Sequence, residues 1–191
     1  DRSRSVAVLP RYNIHYLDTH GYSKNVSIGR FLDNRSLTES FRSEIRNTDR
    51  PDVILASIPS VELALASCEY GAENGVPVAL DIRDLYPDVF VDLAPRPLRP
   101  MVGLASWPMR QRLRSTCAKA TCILGITQGF VDWGVAHAGR ARNGNDRVFP
   151  MAYEKTPLEA SLRPEAEAFW AERLMLKKPD HLQVLFLGAF T

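Results

Sequence analysis

The stretch Pro77-Val78-Ala79-Leu80-Asp81-Ile82-Arg83-Asp84-Leu85-Tyr86-Pro87-Asp88 decides how this chain is read. Its first half is an almost unbroken apolar run, the pattern of a strand buried on both faces, and a polar loop broken by proline follows at the carboxyl end. The same succession recurs on either side. Upstream, residues 52–56 (Asp-Val-Ile-Leu-Ala) read as a buried strand, followed by Ser57-Ile58-Pro59-Ser60. Pro59 suits a first helical position, where a missing N–H is harmless. Val61, Leu65 and Cys68 then give a helix its stripe, and Gly75 is the expected stop. Downstream come a helix over residues 100–118, a strand over 121–126, a helix over 128–138 and a short strand over 147–149. Pro164 opens a helix carrying Phe169, Trp170 and Leu174, and residues 182–187 form a last strand before Gly188. At the front, residues 5–9 read as a strand ended by Pro10. A helical region starts near Asn25, with a second start at Ser36, where Ser36 and Glu39 have capping-box spacing and Leu37, Phe41 and Ile45 share a face. Continuous apolar strands alternating with helices predict an α/β fold: a Rossmann-like, doubly wound parallel sheet whose right-handed crossovers place helices on both faces.

Composition narrows the function classes. The 191 residues are 45% hydrophobic and 24% charged, which excludes disordered, collagenous and low-complexity chains. A net charge of +2 gives no whole-surface footprint for nucleic acid, so no nucleic-acid partner is expected. No stretch approaches the roughly 18 apolar residues of a membrane span. Cys68, Cys117 and Cys122 are odd in number and form no CxxC, which reads as free thiols in a reducing, cytoplasmic setting. His15, His20, His137 and His181 show no metal-ligand pairing, so no metal is expected. There is no GxGxxG after a strand, no GxxxxGK[ST] loop and no GxSxG elbow. Residues 139–144 (Gly-Arg-Ala-Arg-Asn-Gly) are phosphate-friendly in composition, but they follow a helix and precede a strand, which makes them an exposed turn at the wrong edge.

Ligands of open parallel sheets bind beyond the carboxyl ends of the strands, where loops and helix N-termini converge. That rule selects the loop after the first strand, with Tyr22, Lys24 and Asn25; Ser57 and Ser60 after the second; Arg83 and Asp84 after the third; and Thr127 after the fourth. Ser57 and Ser60 flank a helix N-terminus suited to an anion or a sugar oxygen, and one of them alternatively serves as its cap. Asp84 can accept from hydroxyls or act as an acid/base group, or pair structurally with Arg83. Asp81, inside the strand pattern, must be paired if buried and is read as structural. Thr127 is most simply a cap. Residues 95–120 carry Arg96, Arg99, Arg110, Arg112, Arg114 and Lys119 and no acid, with Met101, Val102, Leu104 and Trp107 interleaved. An amphipathic basic helix of this kind can lie on anionic lipid, which gives peripheral contact with the inner face of a membrane through residues 96–119; the alternatives are a solvated charged face and contacts to a missing domain.

Residues 51–60 and 75–88 resemble the N-terminal half of family 4 glycosyltransferases, whose GT-B architecture faces two Rossmann-like domains across a cleft. The match is a "PDV(I)…S.P" strand and loop followed by "GVP…DIRDLYP", and Ile126-Thr127-Gln128 and Leu185-Phe186-Leu187-Gly188 are similar to later strand exits of the family. Arg83 stands where many members have His, and the family's "PNG" turn is altered at Phe149-Pro150-Met151. The resemblance implies a retaining transfer of a sugar from a nucleotide-sugar donor to a carbohydrate or lipid-linked acceptor in cell-surface polysaccharide or glycolipid synthesis. Asp84 would be the catalytic group, with Arg83, Ser57, Ser60, Tyr22, Lys24, Asn25 and Thr127 around the acceptor, and the nucleotide sugar a co-substrate with no further cofactor. It implies an acceptor-side domain over residues 1–180, truncated at its start. Residues 181–191 would be the first strand of a missing donor domain, and the fragment alone would be inactive. The alternatives are a sugar-nucleotide epimerase of the same architecture and a non-catalytic binding or scaffold module.

Overall fold

Four strands in unbroken sequential order make the central sheet. In the computed structural model, which describes residues 4–10, 12–19, 21, 28–152 and 161–174, these are β3 (Ile54–Ile58), β4 (Val78–Ile82), β5 (Cys122–Gly125) and β6 (Arg147–Val148). All are parallel and pair in the order β3-β4-β5-β6, with Ser57 beside Asp81 and Ile82 beside Gly125. Between them run α2 (Val61–Asn74), α3 (Asp88–Leu93), α4 (Arg99–Ala105), α5 (Trp107–Lys119) and α6 (Gln128–Ala138), and α1 (Ile28–Ile45) precedes β3.

Because the strand order never reverses, right-handed crossovers carry every connecting helix to the same side. α1 packs on α2, α2 on α5 and α5 on α6, forming one helical layer. The core lies beneath it, where Ala56, Ile58, Val78, Leu80, Ile82 and Ile123 alternate along the strands and meet Val61, Ala64, Cys68, Leu113 and Cys117. Gly134 and Gly71 let two helices sit close: an added methyl would overlap Ile82 and Ile123 at the first and Val78 and the Val76 carbonyl at the second. The other face of the sheet carries Leu55, which is 62% exposed, and the exposed Ser57. The fold is therefore mixed α/β with a four-stranded, all-parallel, helix-flanked sheet, compatible with a Rossmann-like fold. The second helical layer of a doubly wound sheet is not seen among the described residues.

Several expected elements fall where the sequence put them. α6 has the expected bounds, and α2 ends at Gly75, whose left-handed backbone (φ 64°) only glycine adopts without strain. Others differ for physical reasons. The strand over residues 5–9 is not part of the parallel sheet; β1 (Arg4–Leu9) pairs antiparallel with β2 (Tyr12–Tyr16) in a separate hairpin. The carboxyl-edge rule of a parallel sheet therefore does not select the loop that follows it. α1 runs continuously past Ser36: no breaker precedes that residue, and Glu39 is drawn to Arg35 in an i,i+4 pair instead of a capping box. α2 begins at Val61, so Pro59 precedes the cap instead of opening the helix. The single basic helix expected over 100–118 is broken at Ser106. Pro108 has no N–H to give and its ring crowds the Leu104 carbonyl, so α4 stops and α5 restarts.

The chain divides into two compact units, Asp1–Met151 and Ala152–Thr191. Within the second, α7 (Arg163–Leu174) has Pro164 in its first turn, as expected, with Glu165 beside it at the positive end of the helix. The strand expected over 182–187 and the boundary expected at 180/181 lie outside the described residues. Among the described residues, no helix is long and apolar enough to cross a membrane.

Candidate functional site

Three polar side chains converge at the carboxyl ends of β3 and β4. Asp81 is carried on the central strand and is 2% exposed. The β3–β4 register sets Ser57 beside it, and the Ser57 hydroxyl donates to Asp81 Oδ2 at 3.3 Å. Arg83, two residues on and therefore on the same face, turns back so that its Nε donates to the same oxygen at 2.5 Å. Asp81 Oδ1 is buried and has no hydrogen-bond partner, and neither has the buried Oγ of Ser60. A buried carboxylate oxygen without a donor costs on the order of 1–3 kcal/mol.

Sequence reasoning placed Ser57, Ser60, Arg83 and Asp84 at this edge, and the strand topology puts them there. It assigned some roles differently. Arg83 binds Asp81 and not its neighbour Asp84, whose side chain is exposed. Ser60 occupies the N-cap position of α2 but makes no capping bond, which leaves its hydroxyl available. Thr127 is the N-cap residue of α6, also without a side-chain capping bond, and is exposed beyond the next strand. Asp81, read as purely structural, is paired through one oxygen only and joins the site. Tyr22, Lys24 and Asn25 lie outside the described residues.

The loop after β4 is anchored by a second cluster that the sequence did not reveal. Asp88, the first residue of α3, accepts from Arg110 Nε at 2.8 Å and from Trp133 Nε1 at 3.1 Å, and its Oδ2 lies 2.9 Å from His137 Nε2. Burial alone would raise the Asp88 pKa, but the bonds from His137, Arg110 and Trp133 together hold it below the usual carboxylate range. Trp133 and His137 sit one turn apart on α6 with their rings edge to face at 4.5 Å. Tyr86, after which the Tyr86–Pro87 peptide is cis, packs edge-on against Phe90. These contacts bind residues 85–88 to α5 and α6 and so fix where Arg83 and Asp84 emerge. Asp88 lies 49 positions from His137, and only the Trp133/His137 spacing hints that they meet.

Other titratable groups lie elsewhere. At the amino-terminal edge, Asp146 is held by Arg140 and by the amides of Ile123 and Asn143. Residues 139–144 thus form a turn at that edge, as expected, ordered by this clasp. Burial pushes the Cys68 thiol up to about 11 and Cys117 to about 12, so neither supplies a thiolate near neutral pH. Among the described residues, no group of three His, Cys, Asp or Glu side chains could hold a metal ion. Hollows of about 280 Å³, lined by Arg35, Arg42, Glu62 and Arg112, and about 410 Å³, lined by His15, Phe41 and Pro51, indent the surface elsewhere on α1, α2 and α5 and beside the hairpin. Among the described strands the topology offers no switch point. A crevice forms where neighbouring crossovers diverge to opposite faces, and here they all leave the same way.

No protein-family model matches the chain, and no curated protein matches it.

Proposed function

We propose that this chain is the acceptor-side half of a sugar-nucleotide-dependent glycosyltransferase, acting in cell-surface polysaccharide or glycolipid synthesis with retention of configuration at the transferred sugar. The observation that carries the reading is the half-satisfied Asp81, flanked by Ser57, Ser60 and Arg83 at the carboxyl edge of a parallel sheet. The half-paired Asp81 and the unpartnered Ser60 hydroxyl suit a ligand rich in O–H groups, and Arg83 adds a half-exposed cation that can turn to it. The exposed Asp84 orients the acceptor hydroxyl and accepts its hydrogen bond. Thr127 and the segment holding Tyr22, Lys24 and Asn25 complete the acceptor surface. Transfer builds positive charge at the anomeric carbon while the nucleoside diphosphate leaves, so donor phosphates and acceptor must meet in a closing cleft that excludes water. The doubly wound, GT-B-type half-domain belongs to this same proposal, as does the absence of any cofactor beyond the nucleotide sugar.

The test incubates the protein carrying this chain with labelled nucleotide sugar, with and without a lipid-linked hydroxyl acceptor. Acceptor-dependent release of nucleoside diphosphate is expected, with kcat lowered at least about a hundredfold in Asp84→Ala. Turnover without acceptor would instead identify an epimerase. Full activity of Asp84→Ala would remove Asp84 from the reaction, and no turnover under either condition would favour the scaffold.

A further inference from the structure

α4 and the start of α5 expose large apolar side chains. Leu98, Met101, Leu104 and Trp107 recur at three-residue intervals, and all point outward; Met101 is 69% and Leu104 78% exposed. Ser106, between them, is buried, and Gly103 is half-buried. Large apolar side chains that a helix packed for water would bury stand exposed here.

The sequence around this row is cationic, the exposed Asp92 at the end of α3 being the nearest acid before it. No acidic residue occurs from position 93 to 131. Of the cations there, Arg110 and Arg112 pair inward with Asp88 and Glu62. Arg96 and Arg114 are exposed and make no ion pair among the described residues, and Arg114 lies two turns beyond Trp107 on the same face of α5. Arg99 donates to the backbone carbonyls of Asp92 and Ala94 and to no carboxylate.

We infer that this surface docks on an anionic lipid bilayer, with Leu98, Met101, Leu104 and Trp107 entering the boundary between headgroups and acyl chains and Arg96 and Arg114 reaching back to the phosphates. An apolar row with a cationic rim matches the layering of a bilayer surface, apolar inside and anionic above. A nucleic-acid backbone would satisfy the arginines and leave the apolar row in water. The inference stands on the exposed row and its charge and is independent of the reaction proposed above.

Co-sedimentation of the full chain with vesicles tests it, using phosphatidylcholine alone and equal parts phosphatidylcholine and phosphatidylglycerol. Binding is expected to the mixed vesicles and to be weaker by more than tenfold on phosphatidylcholine alone. Arg96→Gln with Arg114→Gln should lower partitioning onto mixed vesicles about thirtyfold. Leu104→Ser with Trp107→Ser should lower it at least about tenfold. These side chains are exposed, so the variants should keep the wild-type melting transition, which is checked alongside. Binding that ignores headgroup charge, or that survives both pairs of substitutions, overturns the inference. So does a self-association of the free protein that Trp107→Ser abolishes, which would make a second copy the occupant.

Discussion

At opposite ends of the parallel sheet stand two buried aspartates, each held by an arginine and finished to different degrees. Asp146, at the amino-terminal edge, spends both oxygens: Arg140 grips them at 2.6 and 2.8 Å, and the amides of Ile123 and Asn143 donate at 2.8 and 2.7 Å. Its side chain is wholly buried, and these bonds, led by that from Arg140, pull its pKa down to about 2. Asp81, toward the carboxyl edge, shares one oxygen between Arg83 and Ser57 and leaves the other without a donor. Residue type and burial are alike, so the difference lies in the supply of donors. Asp146 is saturated by its own turn and by β5, and closes the loop before β6. Asp81 depends on a half-exposed arginine and leaves one buried oxygen unpaired.

That contrast can be broken by substitution. Asp146→Ala removes one partner of a buried pair and strips the Ile123 and Asn143 amides of their acceptor. The loss should be about 3 kcal/mol, the low end for a buried pair because Arg140 can regain some water, and denaturant unfolding reads it. The acid limb of stability sharpens the contrast next. The folded pKa of Asp146 lies below its ordinary value of 3.8, so its contribution is complete above about pH 4 and disappears as pH falls through about 2. That contribution is about 2 kcal/mol, and it should be missing from the pH-stability curve of Asp146→Asn. The smallest effect is expected at the other end. Asp81→Asn keeps the shape and removes a buried charge that its surroundings only half compensate, so unfolding free energy should move by less than about 1 kcal/mol. A loss at Asp81 as large as at Asp146 would make both residues structural and leave the carboxyl edge without a built site.

Much of this was legible from residue order. The apolar runs of β3, β4 and β5, the punctuation by Gly75 and the span of α6 are local signals, and local signals survive folding. The hairpin was not read. Val6-Ala7-Val8 looks like any buried strand, and only the alternation of Tyr12-Asn13-Ile14-His15-Tyr16 just after Pro10 betrays an antiparallel partner. The break at Ser106 needed Pro108 to be weighed as a restart. At the site, Ser57 and Arg83 could be placed because loops at strand ends follow from topology. That Arg83 would turn back to Asp81, or that Asp88 would meet His137, depends on packing between elements far apart in sequence.

Gly71 and Gly134 allow α2 and α6 to rest almost directly on the strands, with the Val78, Ile82 and Ile123 side chains filling the places where methyl groups would stand. Mutational drift on that side of the sheet is therefore confined, since any gain of bulk there must be matched by a loss opposite. The side bearing Ser57 has no such lock. Over long divergence the two surfaces of one sheet should change at different tempos, with new specificity arising on the unlocked one while the architecture stays put.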